Sequence, residues 1–185
     1  MCIRDRLKET PNSVAVVTNN DIEKLNIQNV ADIYNVIPNV SGDFNQGFTI
    51  RGINAFNVSG GGNSFLTSMY LDGAPLPYRV VRSGAISVWD LSQVEVFRGP
   101  QSTLQGRNAL AGAIMLRTQD PTYEYSAKGK VTLGEFGQQE FAFAGGGAII
   151  DDMLAFRIAI EDKQLDGAID NVTRGEEQDY EDNQT

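Results

Sequence analysis

From Lys128 onward the hydrophobic positions recur at every second residue. Leu154, Phe156, Ile158 and Ile160 fall on one side of an extended chain, with Ala155, Arg157, Ala159 and Glu161 on the other. Phe141 and Phe143 alternate in the same way with Glu140, Ala142 and Ala144. Glu135 to Gly137 and Asp151 to Asp152 read as turns, so the pattern predicts about three antiparallel strands with one greasy face and one mild or charged face. Periodicity alone fits a soluble sandwich as well as the beginning of a membrane barrel.

Upstream, from Leu7 to about Thr122, the signals are mixed. Ser13 to Thr18 (SVAVVT) is short and β-branched, hence a strand, and Asn20 to Glu23 (NDIE) has the spacing of a helix capping box. A second helix is expected from Asn29, with Val30, Ile33 and Val36 or Ile37 on one face, ending before Pro38. Short strands follow, each closed by a turn: FTIRG (Phe48 to Gly52), FLTSMYLDG (Phe65 to Gly73), VEVFRGP (Val94 to Pro100) and AIMLRT (Ala113 to Thr118). Polar, glycine-rich chain separates them, above all Asn54 to Ser64. The expectation is a compact α+β unit followed by antiparallel strands.

Composition narrows the chemistry. The formal net charge is -9, which repels phosphate backbones and sets nucleic acid aside as a partner. Histidine is absent, which removes the common zinc sites, the Ser-His-Asp triad and the usual neutral-pH proton shuttle. Cys2 is the one cysteine, so there is no internal disulfide and no CxxC site. No cofactor and no enzymatic activity are expected. No apolar run reaches the roughly 18 residues of a spanning helix.

The opening MCIRDR carries charge without a following apolar region, so it is neither a secretory signal nor a lipoprotein leader. It can be encoded by ATG TGT ATA AGA GAC AGx, which resembles the transposase adapter end of sequencing libraries. Residues 1–6 are therefore expected to be a non-native leader.

The motifs occur in an informative order: TPNSVAVVTNNDIEKL, VADIYNVIPNVSG, FTIRGI, MYLDGAPL, then LSQVEVFRGPQSTLQGRNALAGAIMLRTQDP. Over about Thr10 to Pro121 this series resembles the plug domain of TonB-dependent outer-membrane receptors. YLDG and IRG carry little weight alone, whereas VEVFRGPQSTLQGRNALAGAI followed by T-x-D-P is highly specific. Gln105 departs from the family, which usually has an aromatic residue before that glycine, and no TonB box precedes Thr10.

The resemblance implies a plug over 7–122, followed over 123–185 by about three strands of a transmembrane β-barrel that has 22 strands in the family. Leu154, Phe156, Ile158 and Ile160 would then face outer-membrane lipid, and Arg157 and Glu161 the lumen. Gly145 to Gly147 suit either close approach by the plug or a loose strand end. The charges expected at the plug–barrel boundary are Arg51, Glu95, Arg98 and Arg107, the arginines of the IRG and RGP turns meeting carboxylates of the barrel wall. Gly52, Asp72, Gly73, Gly99, Pro100 and Gly106 complete the gating set, with Gly99 and Pro100 fixing a turn and Gly106 ending a helix. Ligand contacts are expected from the upper loops, at Asn45, Gln46, Asn54, Phe56, Tyr78 and Arg79.

Function follows from the resemblance as well. It implies a ligand-gated active transporter of the cell outer membrane that takes up a siderophore, cobalamin, glycan or similar small molecule. Energy would come from TonB and its inner-membrane complex. A signal-transducing receptor with a further periplasmic domain upstream, and a free-standing periplasmic binding module, are the alternatives. Other motifs fail. Asp162 to Gly167 begins like a calcium loop but places Thr173 where a bidentate glutamate belongs. Glu176 to Asp182 reads as a solvated extracellular loop, Asn171 has only a glycosylation pattern, and neither triple glycine continues as a P-loop.

Overall fold

The computed structural model describes residues 13–43, 47–55, 67–83, 86–99, 112–135, 137–165 and 182–184. The chain forms two compact units, Met1–Gln119 and Asp120–Thr185. The expected division at 122/123 lies within the exposed stretch just after this boundary.

The first unit opens with β1 (Val14–Thr18) and α1 (Asn19–Lys24), then α2 (Val30–Val36). The capping box of α1 is not the expected Asn20–Glu23 pair. Thr18 is the cap and Asp21 the third residue, the Thr18 hydroxyl accepting from the Asp21 amide while the Asp21 carboxylate accepts from the Thr18 N–H at 3.0 Å. The strand therefore runs into the helix without a linker. Those Thr18 hydrogen bonds, side chain first, hold the Asp21 carboxyl below its ordinary value. For α2, expected from Asn29, Asn29 is the cap, again with an aspartate, Asp32, returning the bond. Val30, Ile33 and Ile37 are buried and Val36 is exposed, which settles the apolar face.

β2 (Val40–Asp43), β3 (Gly47–Ile50) and β4 (Ile53–Asn54) form a small antiparallel sheet. β5 (Thr67–Leu71), β6 (Ala74–Pro75), the helix α3 (Tyr78–Ser83), β7 (Leu91–Phe97) and β8 (Gly112–Thr118) complete the unit. Its larger sheet runs β1-β7-β8-β5-β6, antiparallel throughout except for β5 against β8. The main core joins Ile33 and Tyr34 of α2 to Phe48 and Ile50 of β3 and to Met69, Val94, Val96, Ile114 and Leu116 of the larger sheet. Each such side chain contributes about 1.5–3 kcal/mol when buried. A second cluster, Tyr70, Phe97 and Ala113 with Val14 and Met115, covers the other face of the same sheet. The central strands are thus buried on both sides, which is why VEVF and AIML read as runs and not as alternations.

The second unit is an antiparallel meander of β9 (Ser126–Leu133), β10 (Gln139–Ile150), β11 (Leu154–Leu165) and β12 (Asp182–Gln184). The predicted turns are in place, with Gly137 and Asp152 at positive φ. Register aligns Val131, Phe141 and Asp162, then Gly129, Phe143 and Ile160, on one face. Val131, Leu133, Phe141, Phe143, Leu154, Phe156, Ile158 and Ile160 are between 38 and 73% exposed. The opposite face carries Lys130, Glu140, Ala142, Ala144, Arg157 and Glu161. Asp182, assigned to a loop from the sequence, opens β12 instead and pairs with Leu165. Residues 166–181, with the calcium-like stretch after Leu165 and Asn171, lie outside the described residues.

Candidate functional site

Two of the sequence motifs are two-residue hairpin turns. Arg51 and Gly52, at φ 52° and 78°, join Ile50 to its partner Ile53; Asp72 and Gly73, at φ 47° and 85°, join Leu71 to Ala74. Both central residues of such a turn need positive φ, which explains a glycine in second place, and an aspartate tolerates the first better than most residues do. Arg51 holds the same geometry although an arginine gains nothing from it.

The Asp72–Gly73 turn and Arg98 lie at opposite ends of the larger sheet, whereas the Arg51–Gly52 turn belongs to the small one. Phe97 pairs with Ala113 at one end of β7, and Leu91 pairs with Thr118 at the other. Arg98 and Gly99 follow Phe97, whereas Asp72 follows Leu71, the partner of Leu116. The described members of the expected gating set therefore divide into an arginine end and an aspartate end, with Glu95 between them.

At the arginine end, two motifs converge on one turn of backbone. The Arg51 amide donates to the Asn39 carbonyl at 2.8 Å, and the Arg98 guanidinium donates through Nη1 to the Pro38 carbonyl at 3.1 Å. The Arg98 backbone N–H also donates to the Ser13 carbonyl at 2.9 Å, just ahead of β1. Arg98 thereby links the end of β7, the end of α2 and the start of β1. Its Nε is buried and has no partner among the described residues. Gly99 follows at φ 155°. The Arg51 side chain is exposed, and among the described residues neither arginine meets a carboxylate.

At the other end the Asp72 carboxylate accepts from the Thr118 amide and hydroxyl, and the Asp72 amide donates to Leu116. LDG and T-x-D-P, which looked like separate signatures, are two halves of one contact. Glu95 sits mid-strand, buried, between Val16 and Met115 in register, with Gln93 Nε2 donating to it. Burial of a lone carboxylate is costly, and this amide offsets part of that cost.

The ligand-contact residues are only partly visible. Asn54 lies half-buried on β4, and Arg79 is exposed on α3, which runs beside β3. Tyr78 starts α3. Asn45, Gln46, Phe56, Pro100, Gly106 and Arg107 lie outside the described residues. Among the described residues no cluster of His, Cys, Asp or Glu is arranged to hold a metal, and no helix is long and apolar enough to cross a membrane, which says nothing of a β-barrel.

In the second unit one charged pair was not foreseen from the sequence. Lys130 Nζ meets Glu140 Oε1 at 2.7 Å on the face opposite the apolar one, and Glu140 is 2% exposed, with Oε2 unpartnered among the described residues. Register puts Lys163 directly across from Glu140, and Glu161 on the same face.

The TonB-dependent Receptor Plug Domain family matches residues 6–113. The chain belongs to that family. A ferrioxamine receptor of Yersinia enterocolitica is 28% identical over 155 residues, covering 80% of this chain and 21% of the receptor. A vitamin B12 transporter, BtuB, of Vibrio vulnificus is 25% identical over 158 residues, covering 84% and 25%. The plug-family chain thus spans about a fifth to a quarter of the length of these relatives. Among solved structures, the open form of the ferric-catecholate import receptor Fiu from E. coli K12 superposes with a TM-score of 0.72 at 22% identity, over 88% of this chain and 22% of that one. The ferripyoverdine receptor of Pseudomonas aeruginosa gives 0.74 at 19%, over 89% and 22%. Because both superpositions cover nearly the whole chain, they extend through the antiparallel strands as well as the plug. The fold is an α+β plug followed by the first strands of a receptor barrel.

Proposed function

We propose that this chain is the plug, over 7–122, and the first barrel strands, over 123–185, of an outer-membrane transporter that imports a small metal chelate with energy supplied through TonB. The observation that carries the reading is the sequence of two units in one chain. A plug-family unit is followed by strands that expose one apolar face and keep lysine, arginine and glutamate on the other. A sheet of that kind, closed into a barrel, puts its apolar side in lipid and its polar side in the lumen. The relatives support the cargo class, one being named a ferrioxamine receptor and another a vitamin B12 transporter.

Gating in this reading depends on contacts that exchange readily. Among the described residues, force applied ahead of Ser13 meets the Ser13–Arg98 hydrogen bond and, through the same arginine, the Pro38 carbonyl at the end of α2. Hydrogen bonds of this sort contribute about 0.5–1.5 kcal/mol net, and more to a charged donor, so they break one by one and water replaces them. The core behind them resists far more strongly.

The test uses the complete gene in a host lacking its own siderophore and cobalamin receptors. Uptake of radiolabelled iron as ferrioxamine, and of labelled cobalamin, is measured with and without TonB and with and without a proton-gradient uncoupler. Accumulation of one chelate that stops when TonB or the gradient is removed is the expected result. Accumulation indifferent to both would remove the transporter reading.

A further inference from the structure

Strand β10 carries Gly145, Gly146 and Gly147 in succession, and each lacks a side chain for its own reason. A Cβ on Gly146 would run into the Phe156 carbonyl of β11. On Gly145 it would press at 3.1 Å on Cζ of Phe143, two residues away on the same face. On Gly147 it would overlap the ring of Tyr125. Tyr125 comes just before β9, and extending the pairing of Ser126 with Gly146 by one residue sets it opposite Gly147, on the apolar face. Its ring fills the place of the missing side chain. Its hydroxyl donates to the Ala148 carbonyl at 2.6 Å, beyond the last β9–β10 pair. Tyr125 is 78% exposed and nonetheless held at both ends of its ring.

The rest of that corner has little to define alignment. The apolar face of β9 begins with Ala127 and Gly129, and they oppose Gly145 and Phe143. A slip by two residues keeps every side chain on its proper face, so small residues scarcely oppose it. Such a slip would bring Tyr125 over Gly145, where the Phe143 ring already lies. An aromatic ring packed over a cross-strand glycine is a known means of pinning register in sheets.

We propose that Tyr125 seated on Gly147 is the joint that sets the register of β9 as the first strand of the barrel. The proposal rests on reading the second unit as the start of that barrel. The joint is a positioning device for assembly, and it selects one alignment for the strand on which all later pairing is counted.

Disulfide trapping in the complete receptor, in outer membranes and with every native cysteine replaced by serine, tests it. Lys128→Cys with Ala144→Cys reports the native register, and Lys128→Cys with Ala142→Cys reports the two-residue slip; all three positions share the polar face. With Tyr125 present, the native product is expected to exceed the slipped one by about tenfold or more. Tyr125→Ala and Gly147→Ala should each bring the two products close to parity, whereas Tyr125→Phe, which keeps the ring, should not. The double substitution should be no worse than either single one, because the overlap needs both partners. Native trapping unchanged in both Tyr125→Ala and Gly147→Ala would overturn the joint. The barrel reading is checked apart from this by whether the Tyr125-containing receptor stays in membranes washed with urea.

Discussion

The carboxylate of Asp72 takes both the backbone N–H and the hydroxyl of Thr118, at 2.9 and 2.8 Å, across 46 residues of chain. One side chain thereby fastens the turn after β5 to the end of β8, the last strand before the second unit. Asp72→Ala should free the Thr118 amide and raise its hydrogen-exchange rate by about tenfold, equivalent to about 1.4 kcal/mol. Asp72→Asn keeps an acceptor and tolerates positive φ, so its effect should be smaller. Exchange at Thr118 unaltered by Asp72→Ala would show that the contact carries no weight.

Arg98 offers a functional counterpart. Its Nη1 bond to Pro38 and its amide bond to Ser13 tie three elements at the arginine end, and lysine cannot reproduce the planar fork. On the transporter reading proposed above, Arg98→Lys and Arg98→Ala are therefore expected to alter the rate of energised uptake while ligand affinity measured on isolated membranes stays within about twofold. The backbone bond to Ser13 survives in both variants. A loss of affinity equal to the loss of uptake would place Arg98 in ligand binding and not in gating.

Much of this architecture was legible, and the failures have identifiable causes. The strands predicted within Val94–Pro100 and Ala113–Thr118 were found, the first of them starting earlier, at Leu91, because β-branched and apolar runs bounded by turn residues mark strands even when buried on both faces. The capping box was misplaced because Thr18–Asp21 and Asn20–Glu23 have the same spacing, and only the end of β1 decides between them. β2, with Val-Ser-Gly-Asp, hid behind its glycine. That glycine is there because a Cβ on Gly42 would overlap the Tyr34 ring, a long-range reason that no local pattern announces. β4 and β6, of two residues each, exist as partners of the hairpin turns and have no periodicity of their own. At the site, the motifs named Arg51, Arg98 and Asp72, but the partners of the two arginines are the backbone carbonyls of Asn39 and Pro38, which every sequence possesses, and that Asp72 meets Thr118 shows only once β5 and β8 are paired.

Tyr34 gives a pH prediction. It stacks on Phe48 with ring centroids 5.0 Å apart, and its hydroxyl is buried with no partner among the described residues. Burial pushes its ionisation well above the ordinary value of 10.0. The unfolded chain then loses this proton at lower pH than the folded one, so the contribution is fully present below about pH 10 and is lost as pH rises beyond it. Stability against urea should fall above pH 10 by up to about 1.4 kcal/mol per unit from this group. Tyr34→Phe should remove that slope and be neutral or mildly stabilising at neutral pH, since it deletes an unsatisfied polar atom. An equally steep alkaline fall in Tyr34→Phe would assign the loss to other groups.

Lys130 and Glu140 supply a last test, on the wall of the proposed barrel. Glu140 is almost wholly buried and its described charge partner is Lys130, itself 31% exposed. Removing Lys130 leaves the carboxylate with Lys163, across the β10–β11 pair, as its neighbouring cation. Breaking a buried pair costs about 3–5 kcal/mol, and the exposure of Lys130 and the presence of Lys163 argue for the low end. Lys130→Met should therefore lower the melting temperature of the intact receptor in detergent by several degrees. Glu140→Leu exposes no such charge, because Lys130 can turn its ammonium to water, so it should be milder. The double substitution Lys130→Met with Glu140→Leu should recover most of what Lys130→Met loses, since two apolar side chains replace a pair whose attraction only offset its desolvation. If the double variant melts as low as Lys130→Met or lower, the pair stabilises the wall outright, and the penalty of an orphaned Glu140 is not the cause of the loss.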